Sequence, residues 1–305
     1  MANLLTKLFQ KYIFYKDIRK FRNNFFYYIF FRIVRSKLNS KIRVKIYNFE
    51  IVANYRKNSM SFSVIIKCDF NDHKELKFLD IICNYENIFL FDCGSNFGFY
   101  SLYVASRKNK NKIIAFEASP NTFRELEENI KLNSFSSIQA MNLAISNTDK
   151  GEVSFYESEK DWESSINHLN FKKKSELKIS STTLDKVSKK KDLKNYAVVI
   201  KLDVEGHEMN VIEGGLDLIS NYSPLIIIEF SKFIGQNEKF NYLYLEDFLK
   251  KFDYEIYNIN YQRTELDALI KEMNKLPKNM YGIGNNFLVK KKSNFEKIIK
   301  NVRLN

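Results

Sequence analysis

Proline and glycine are scarce, with three prolines and nine glycines in 305 residues. Collagen-like and low-complexity architectures are therefore excluded, and each of these residues is a usable mark of punctuation. Cysteine is scarce too. Cys68, Cys83 and Cys93 show no paired spacing, which argues against a disulfide framework or a Cys-x-x-Cys zinc site and fits a reducing compartment. Long apolar runs are lacking. Phe25 to Phe31 is the nearest approach to a membrane span, and Arg32 interrupts it after seven residues. No apolar stretch followed by a small-residue cleavage site reads as a secretory signal, so a cytoplasmic protein is expected, with the inner face of the membrane as a further site.

What is abundant is aromatic and basic. Phe and Tyr together number 45, enough to fill a sizeable core and to argue against global disorder. The formal charge of +13 is uneven: residues 1–45 hold twelve Lys and Arg against Asp17, and the other 260 residues are close to neutral. The body of the protein is thus no uniformly basic nucleic-acid binder, and no nucleic-acid partner is expected.

Apolar residues recur at three- and four-residue steps from Leu4 to Phe30 with bases between them, which predicts a helical extension over 1–40. Its nine Lys and Arg in residues 1–37 and the aromatics from Phe25 to Phe31 suit an anionic membrane surface. Packing of the same stripe on the rest of the protein or on a second subunit fits the pattern as well. Residues 41–87 read as a small lead-in. The partial alternation in Ile42–Val52 and in Ser61–Phe70 predicts a β-hairpin or small sheet. A helix follows from Asp72 to about Asn84, with Glu75 as capping-box partner. From 88 to 305 short apolar strands alternate with helices. Strands are expected at Ile88–Asp92, Lys112–Glu117, Ile138–Ile145, Ala197–Leu202, Leu225–Glu229, Glu255–Ile259 and Asn286–Lys290. Helices are expected at Gly98–Arg107, Asn121–Asn133, from about Gly206 to Ser220, and at Leu243–Phe252. A polar β insertion is expected around Val153–Tyr156 and Ile179–Leu184. This is the pattern of an α/β, Rossmann-like domain with a mostly parallel central sheet.

Three segments carry chemistry. In FDCGSNFGFYSL an apolar strand ends at Asp92 and glycines follow at 94 and 98. Glycines at a strand-to-helix turn allow close approach of a ligand, but the spacing fails the dinucleotide fingerprint, which argues against an NAD-dependent oxidoreductase. A carboxylate beside the turn suits a cationic ligand with an α-amino group and a sulfonium. In KIIAFEASP, Glu117 lies 19 residues beyond Gly98 at the next strand end, where an acid accepts hydrogen bonds from the ribose hydroxyls of an adenosyl group. An ordinary glycine turn and a helix-capping acid are the alternative. In IKLDVEGHEMNVIEGG a buried strand delivers Asp203 to the carboxyl edge of the sheet, with Glu205, His207 and Glu208 close behind. Asp203 also suits a helix N-cap, Glu205 and Glu208 suit first-turn acids, and His207 suits an ordinary first-turn residue. PLIIIEF brings Glu229 to the same edge.

With these segments in order, the chain resembles the FkbM family of methyltransferases over roughly Ile88 to Lys291. FDCGSNFGFYSL is similar to the family's D-x-G-x-N-x-G-x-Y-S opening, and AFEASPNTFRELEENIKLN to its A-F-E-P-x-P segment. The match continues through NLAISNTDKGEVSFY, SSTTLDKV, IKLDVEGHEMNVIEGG, PLIIIEF and NNFLVKK. Ala118 and His207 depart from the residues common in the family at those places. The resemblance implies a class I methyltransferase fold, with S-adenosylmethionine held by Asp92, Gly94, Asn96, Gly98 and Glu117. It also implies O-methylation of a small molecule or glycan, here a sugar of a surface polysaccharide. A hydroxyl needs a general base or an acidifying divalent cation, Mg²⁺ or Mn²⁺. Asp203, Glu229 and His207 are the catalytic candidates, and Asp203 and Glu229 the metal candidates. The rivals are a nucleic-acid methyltransferase and a non-catalytic membrane-surface module that binds an adenosyl ligand. The three prolines are isolated and no Pro-Cys occurs, so the loops that serve amino or cytosine-carbon methylation are missing. The intact acids at 92, 117 and 203 argue against a decayed site.

Overall fold

The computed structural model describes residues 42–53, 61, 74–149, 151–158, 164, 166, 173–231, 242–277 and 282–304. The extension over 1–40, with its membrane-binding expectation, lies outside them, as do most of Ser61–Phe70, Asp72 and Cys68. Among the described residues no helix is long and apolar enough to cross a membrane.

The chain opens on an antiparallel hairpin, β1 (Ile42–Ile46) and β2 (Phe49–Ala53), turned through Tyr47 at positive φ. Both strands lie inside the one stretch that reads as alternating, so Ile42–Val52 is itself the hairpin. The tight reversal needed no glycine to mark it. Helix α1 (Lys74–Tyr85) follows, then β3 (Ile88–Cys93), α2 (Phe99–Ala105), β4 (Lys112–Phe116), α3 (Pro120–Asn133) and β5 (Ile138–Met141). Ser119 caps α3 by accepting the Thr122 amide, and Pro120 stands at its first turn, where a missing N–H costs nothing.

The strand expected over Ile138–Ile145 divides. β5 stays in the main sheet, and β6 (Ala144–Ile145) joins a second, three-stranded sheet with β7 (Gly151–Ser158) and β8 (Lys173–Thr182). Asn142 sits at the break, and its amide donates to the carbonyls of Glu117 and Ala118. The chain continues through α4 (Leu184–Ser188), β9 (Ala197–Leu202), α5 (Glu208–Glu213), α6 (Leu216–Tyr222) and β10 (Leu225–Ser231). The single helix expected from Gly206 to Ser220 is thus two, parted at Gly214–Gly215. A Cβ at Gly214 would overlap the Ser146 carbonyl, so the helix pair turns where the backbone of the small sheet presses on it. The remaining elements are α7 (Tyr242–Phe252), β11 (Tyr254–Asn258), β12 (Arg263–Thr264), α8 (Leu266–Asn274), β13 (Gly282–Lys290) and α9 (Asn294–Leu304). Sequence periodicity alone did not mark α4, α8 and α9.

The main sheet has the order β12-β11-β13-β10-β9-β3-β4-β5. β5, β4, β3, β9 and β10 run parallel, while β13 runs antiparallel to both β10 and β11. The order reverses at β3: the chain first builds outward through β4 and β5, then returns to lay β9 and β10 on the other side. Such a switch point opens a crevice at the carboxyl ends of the strands.

Strand alternation feeds two cores. Leu90, Val199, Ile227 and Phe287 face one side, with α1, α2, α9 and the β1–β2 hairpin. Phe91, Ile200, Ile228 and Leu288 face the other, with α5 to α8. The hairpin is tied to α3 by two asparagines, one of them fully buried. Asn129 accepts the Val52 amide at 2.7 Å and donates to the Phe97 carbonyl at 3.0 Å, while Asn133 accepts the Glu50 amide at 2.7 Å. Asn129 is fully buried, so Asn129→Ala leaves a donor and an acceptor unsatisfied in the core. Urea unfolding of this variant is expected to show a loss of about 2–4 kcal/mol, and a loss under about 0.5 kcal/mol would mean the tie is not structural.

Candidate active site

The carboxyl end of β3 passes directly into a tight turn. Gly94 has φ +76° and Gly98 φ +94°, and Asn96 between them is also left-handed, at +50°. A Cβ at Gly94 would overlap the Asp203 carbonyl, and one at Gly98 would press on Leu126 of α3. These two glycines let the turn lie against β9 on one side and α3 on the other. Phe116 at the end of β4 anchors the turn by accepting the amides of Gly94 and Ser95, at 3.1 and 2.9 Å.

Glu117 follows at once and is bound up with the same turn. Its Oε2 accepts the Asn96 amide at 2.8 Å and its Oε1 accepts the Ser119 amide at 2.9 Å. The Asn96 side chain turns back to accept the Phe97 amide at 2.8 Å. Asn96 thus sets the turn through its own left-handed backbone, which asparagine tolerates better than most residues.

Asp92 lies one layer below. It is fully buried, its Oδ2 accepts Ser101 Oγ at 2.6 Å, and its Oδ1 has no hydrogen-bond partner. Burial raises its pKa, against the pull of Lys201 and the Ser101 hydrogen bond. A bound cation would therefore feel Asp92 through its field.

Lys201 escaped the sequence reading. It sits directly opposite Asp92 in the β3–β9 register and opposite Ile227 in the β9–β10 register. Its side chain is almost wholly buried, and Nζ donates to Asp203 Oδ2 at 2.8 Å and lies 4.8 Å from the Tyr100 ring centroid. Burial works against the ammonium, but Asp203, Asp92 and Glu229 outweigh it and hold the lysine pKa above its ordinary value. The signal was present in the sequence: a lone charge in AVVIKL, at an inward position two residues from buried Val199. Behind it, Tyr100 donates to Glu75 Oε1 at 2.8 Å and Asn285 donates to the same oxygen at 2.7 Å. Glu75 is thereby part of this network; its expected capping-box partner, Asp72, lies outside the described residues.

Asp203, Glu205 and Glu229 come together, each with a carboxylate oxygen within 4.8 Å of the others. Helix α5 begins only at Glu208, with His207 at its N-cap, so Asp203 is not the cap of that helix. It stands in a turn that Glu205 closes in left-handed conformation, φ +51°. Burial, reinforced by the negative charges of Asp203 and Glu208, pushes the Glu229 carboxyl up to about 8. Glu208 is almost wholly buried; its Oε1 accepts the amides of Val204 and Gly206 at 3.3 and 3.1 Å, and burial lifts its pKa to about 7.

The structure sets His207 apart from these acids in its contacts. Its Nε2 is hydrogen-bonded to Ser146 Oγ at 3.0 Å, while Nδ1 is buried without a partner. Burial lowers its pKa to about 4, so the ring is neutral in the fold. The unfolded chain, with a pKa near 6.5, binds a proton that the folded chain refuses between these values. The contribution of His207 to stability is therefore complete above pH 6.5 and is lost as pH falls toward 4, by about 3 kcal/mol in all. Glu208 and Glu229 tilt stability the opposite way as pH rises, so the effect is read as a difference between proteins. Wild type is expected to lose more stability than His207→Gln between pH 6.5 and 4.5 in urea titrations. Parallel curves would show that the histidine does not titrate this way.

The model of the FkbM methyltransferase domain matches residues 92–256. "Methyltransferase 1" of Beauveria bassiana (strain ARSEF 2860) is 28% identical over 175 residues, covering 49% of this chain and 70% of that protein. Among solved structures, methyltransferase FkbM of Methylobacillus flagellatus KT aligns with 74% of this chain at 13% identity and a TM-score of 0.41. This chain spans only 52% of that structure's length. TYW2 of M. jannaschii, solved in complex with AdoMet, aligns at 13% identity and a TM-score of 0.39, covering 83% of this chain and 88% of that one. Since the family's domain model covers more than half of its 305 residues, and runs from the buried Asp92 through the acids at 203, 205 and 229, this chain belongs to the FkbM methyltransferase family.

Proposed function

We propose that this protein transfers a methyl group from S-adenosylmethionine to a hydroxyl of a small molecule or glycan, with a sugar of a surface polysaccharide as the favoured acceptor. The observation that carries the reading is the meeting, at one sheet edge, of a glycine turn backed by a buried acid and a cluster of carboxylates. The donor fits this chemistry. It carries a net positive charge, and the site offers Asp92 with one buried oxygen unpartnered, together with Asp203, Glu205 and Glu229. Glu117 is the acid for the ribose hydroxyls. When bound, the donor supplies a methyl group on a sulfonium, and the electron pair of the broken carbon–sulfur bond stays on sulfur.

A hydroxyl is a poor nucleophile, so its proton must leave as the new oxygen–carbon bond forms. Asp203 is the base in this reading. Lys201 donates to one of its oxygens and the Glu229 carboxyl is hydrogen-bonded to it, so its orientation is fixed while more than a third of its side chain stays in solvent, open to an acceptor. The acid-rich edge favours a neutral, polyhydroxy acceptor, because a phosphate backbone would meet like charge there. A divalent cation held by Asp203, Glu205 and Glu229 is the second reading, since those oxygens lie close enough to share one. The Lys201 ammonium, bonded to Asp203, already supplies positive charge at that place, which favours the base over the metal.

Two measurements test these assignments. Glu117→Ala is expected to weaken S-adenosylmethionine binding by about 1.5–3 kcal/mol in calorimetry, since a charge-assisted acceptor is lost. Wild type that binds no S-adenosylmethionine, or binds NAD more tightly, would sink the donor assignment. Asp203→Asn is expected to lower transfer of labelled methyl onto cell-surface glycan by about 100- to 10,000-fold at saturating donor. Activity retained by Asp203→Asn but lost on chelation and restored by Mn²⁺ would favour the metal.

A further inference from the structure

The buried ammonium of Lys201 balances neighbouring acids: it faces Asp92 across the β3–β9 register and bonds Asp203. It occupies an inward strand position whose neighbour Val199 is pure core, and it brings a full charge under a sheet edge that must receive a positively charged donor. A cation buried beneath a cation site is unfavourable unless the charge is used.

Its partners define that use. Asp92 faces it from β3, Asp203 bonds it from the end of β9, and Glu229 approaches from β10. Tyr100 of α2 covers it with its ring and is itself bound to Glu75 of α1. Glu208 of α5 adds its charge to Asp203 and Glu229. These acids would also attract the positive charge of a bound donor. We propose that Lys201 is a built-in competitor for them, a specificity-determining residue that limits how strongly the site holds the charged donor relative to the neutral product. The inference rests on the donor reading above.

The physical reason lies in the reaction. The sulfonium charge is present in the donor, partly dispersed in the transition state and gone from the product. Acids that met only the donor would hold the reactant more firmly than the transition state, which slows transfer. With Lys201 among them, part of their field is already spent inside the protein. The same ammonium keeps the Asp203 carboxylate fixed in orientation.

The inference is tested by binding, with no acceptor needed. S-adenosylmethionine and S-adenosylhomocysteine are titrated calorimetrically into the full chain and into Lys201→Met, with a melting curve confirming that each is folded. Removal of the ammonium is expected to move the affinity ratio toward S-adenosylmethionine by about ten-fold or more, because one charge at this range in a partly buried site acts strongly. Lys201→Arg, which keeps the charge, is expected to leave the ratio within about three-fold of wild type. Asp203→Asn removes one of the shared acids and is expected to move the ratio the opposite way, so the inference stays testable even where Lys201→Met does not fold. A ratio within about two-fold of wild type in every folded variant that alters this charge balance overturns the role of Lys201. Wild type that binds neither ligand overturns the donor reading instead.

Discussion

Gly94 has no room for a side chain because the Asp203 carbonyl occupies the space one would need. That contact fixes the distance between the turn after β3 and the turn after β9, and most of the site follows from it. The turn can close on Phe116 only in the left-handed geometry that Gly94, Asn96 and Gly98 adopt. Glu117 then receives the Asn96 amide, and Asp203 comes within reach of Lys201. A single methyl group at position 94 would push apart the two halves of this edge.

The charges at this edge form a ladder in depth. Asp92 and Lys201 are sealed in the sheet, Glu229 is partly covered, and Asp203 keeps more than a third of its side chain in solvent. Depth decides what each can do. The sealed pair acts through its field, because nothing can touch it. Burial and the neighbouring acids disfavour the charge of Glu229. Asp203, fixed by Lys201, stays partly open to solvent. His207 is buried and bonded to Ser146 rather than to these acids.

Much of this was readable in the chain. The strands that form the parallel sheet are short apolar runs ending in a polar residue, and FDCG, AFEA, IKLD and IIIEF each announce both a strand and its carboxyl end. The glycines at 94 and 98 announced the turn because hardly any other residue takes that backbone. What periodicity missed was set by packing. The interruption at Gly214–Gly215 comes from the Ser146 carbonyl, 68 residues away from Gly214, and no local pattern records it. The division of Ile138–Ile145 into strands of two sheets depends on β8, which arrives later in the chain. The hydrogen bonds of Glu75 to Tyr100 and Asn285 span 25 and 210 residues, beyond any local pattern.

By itself, then, the sequence determined the α/β class, the order of its main strands and the residues at the strand ends, because these depend on side-chain periodicity and on backbone conformations that few residues can adopt. The tertiary structure decided which of those residues meet and in what state of charge. Hydrogen bonding, burial and the field of neighbouring groups are properties of distance in space. Only the folded sheet sets Lys201 between Asp92 and Asp203, brings Glu205 beside Glu229, and turns His207 toward Ser146.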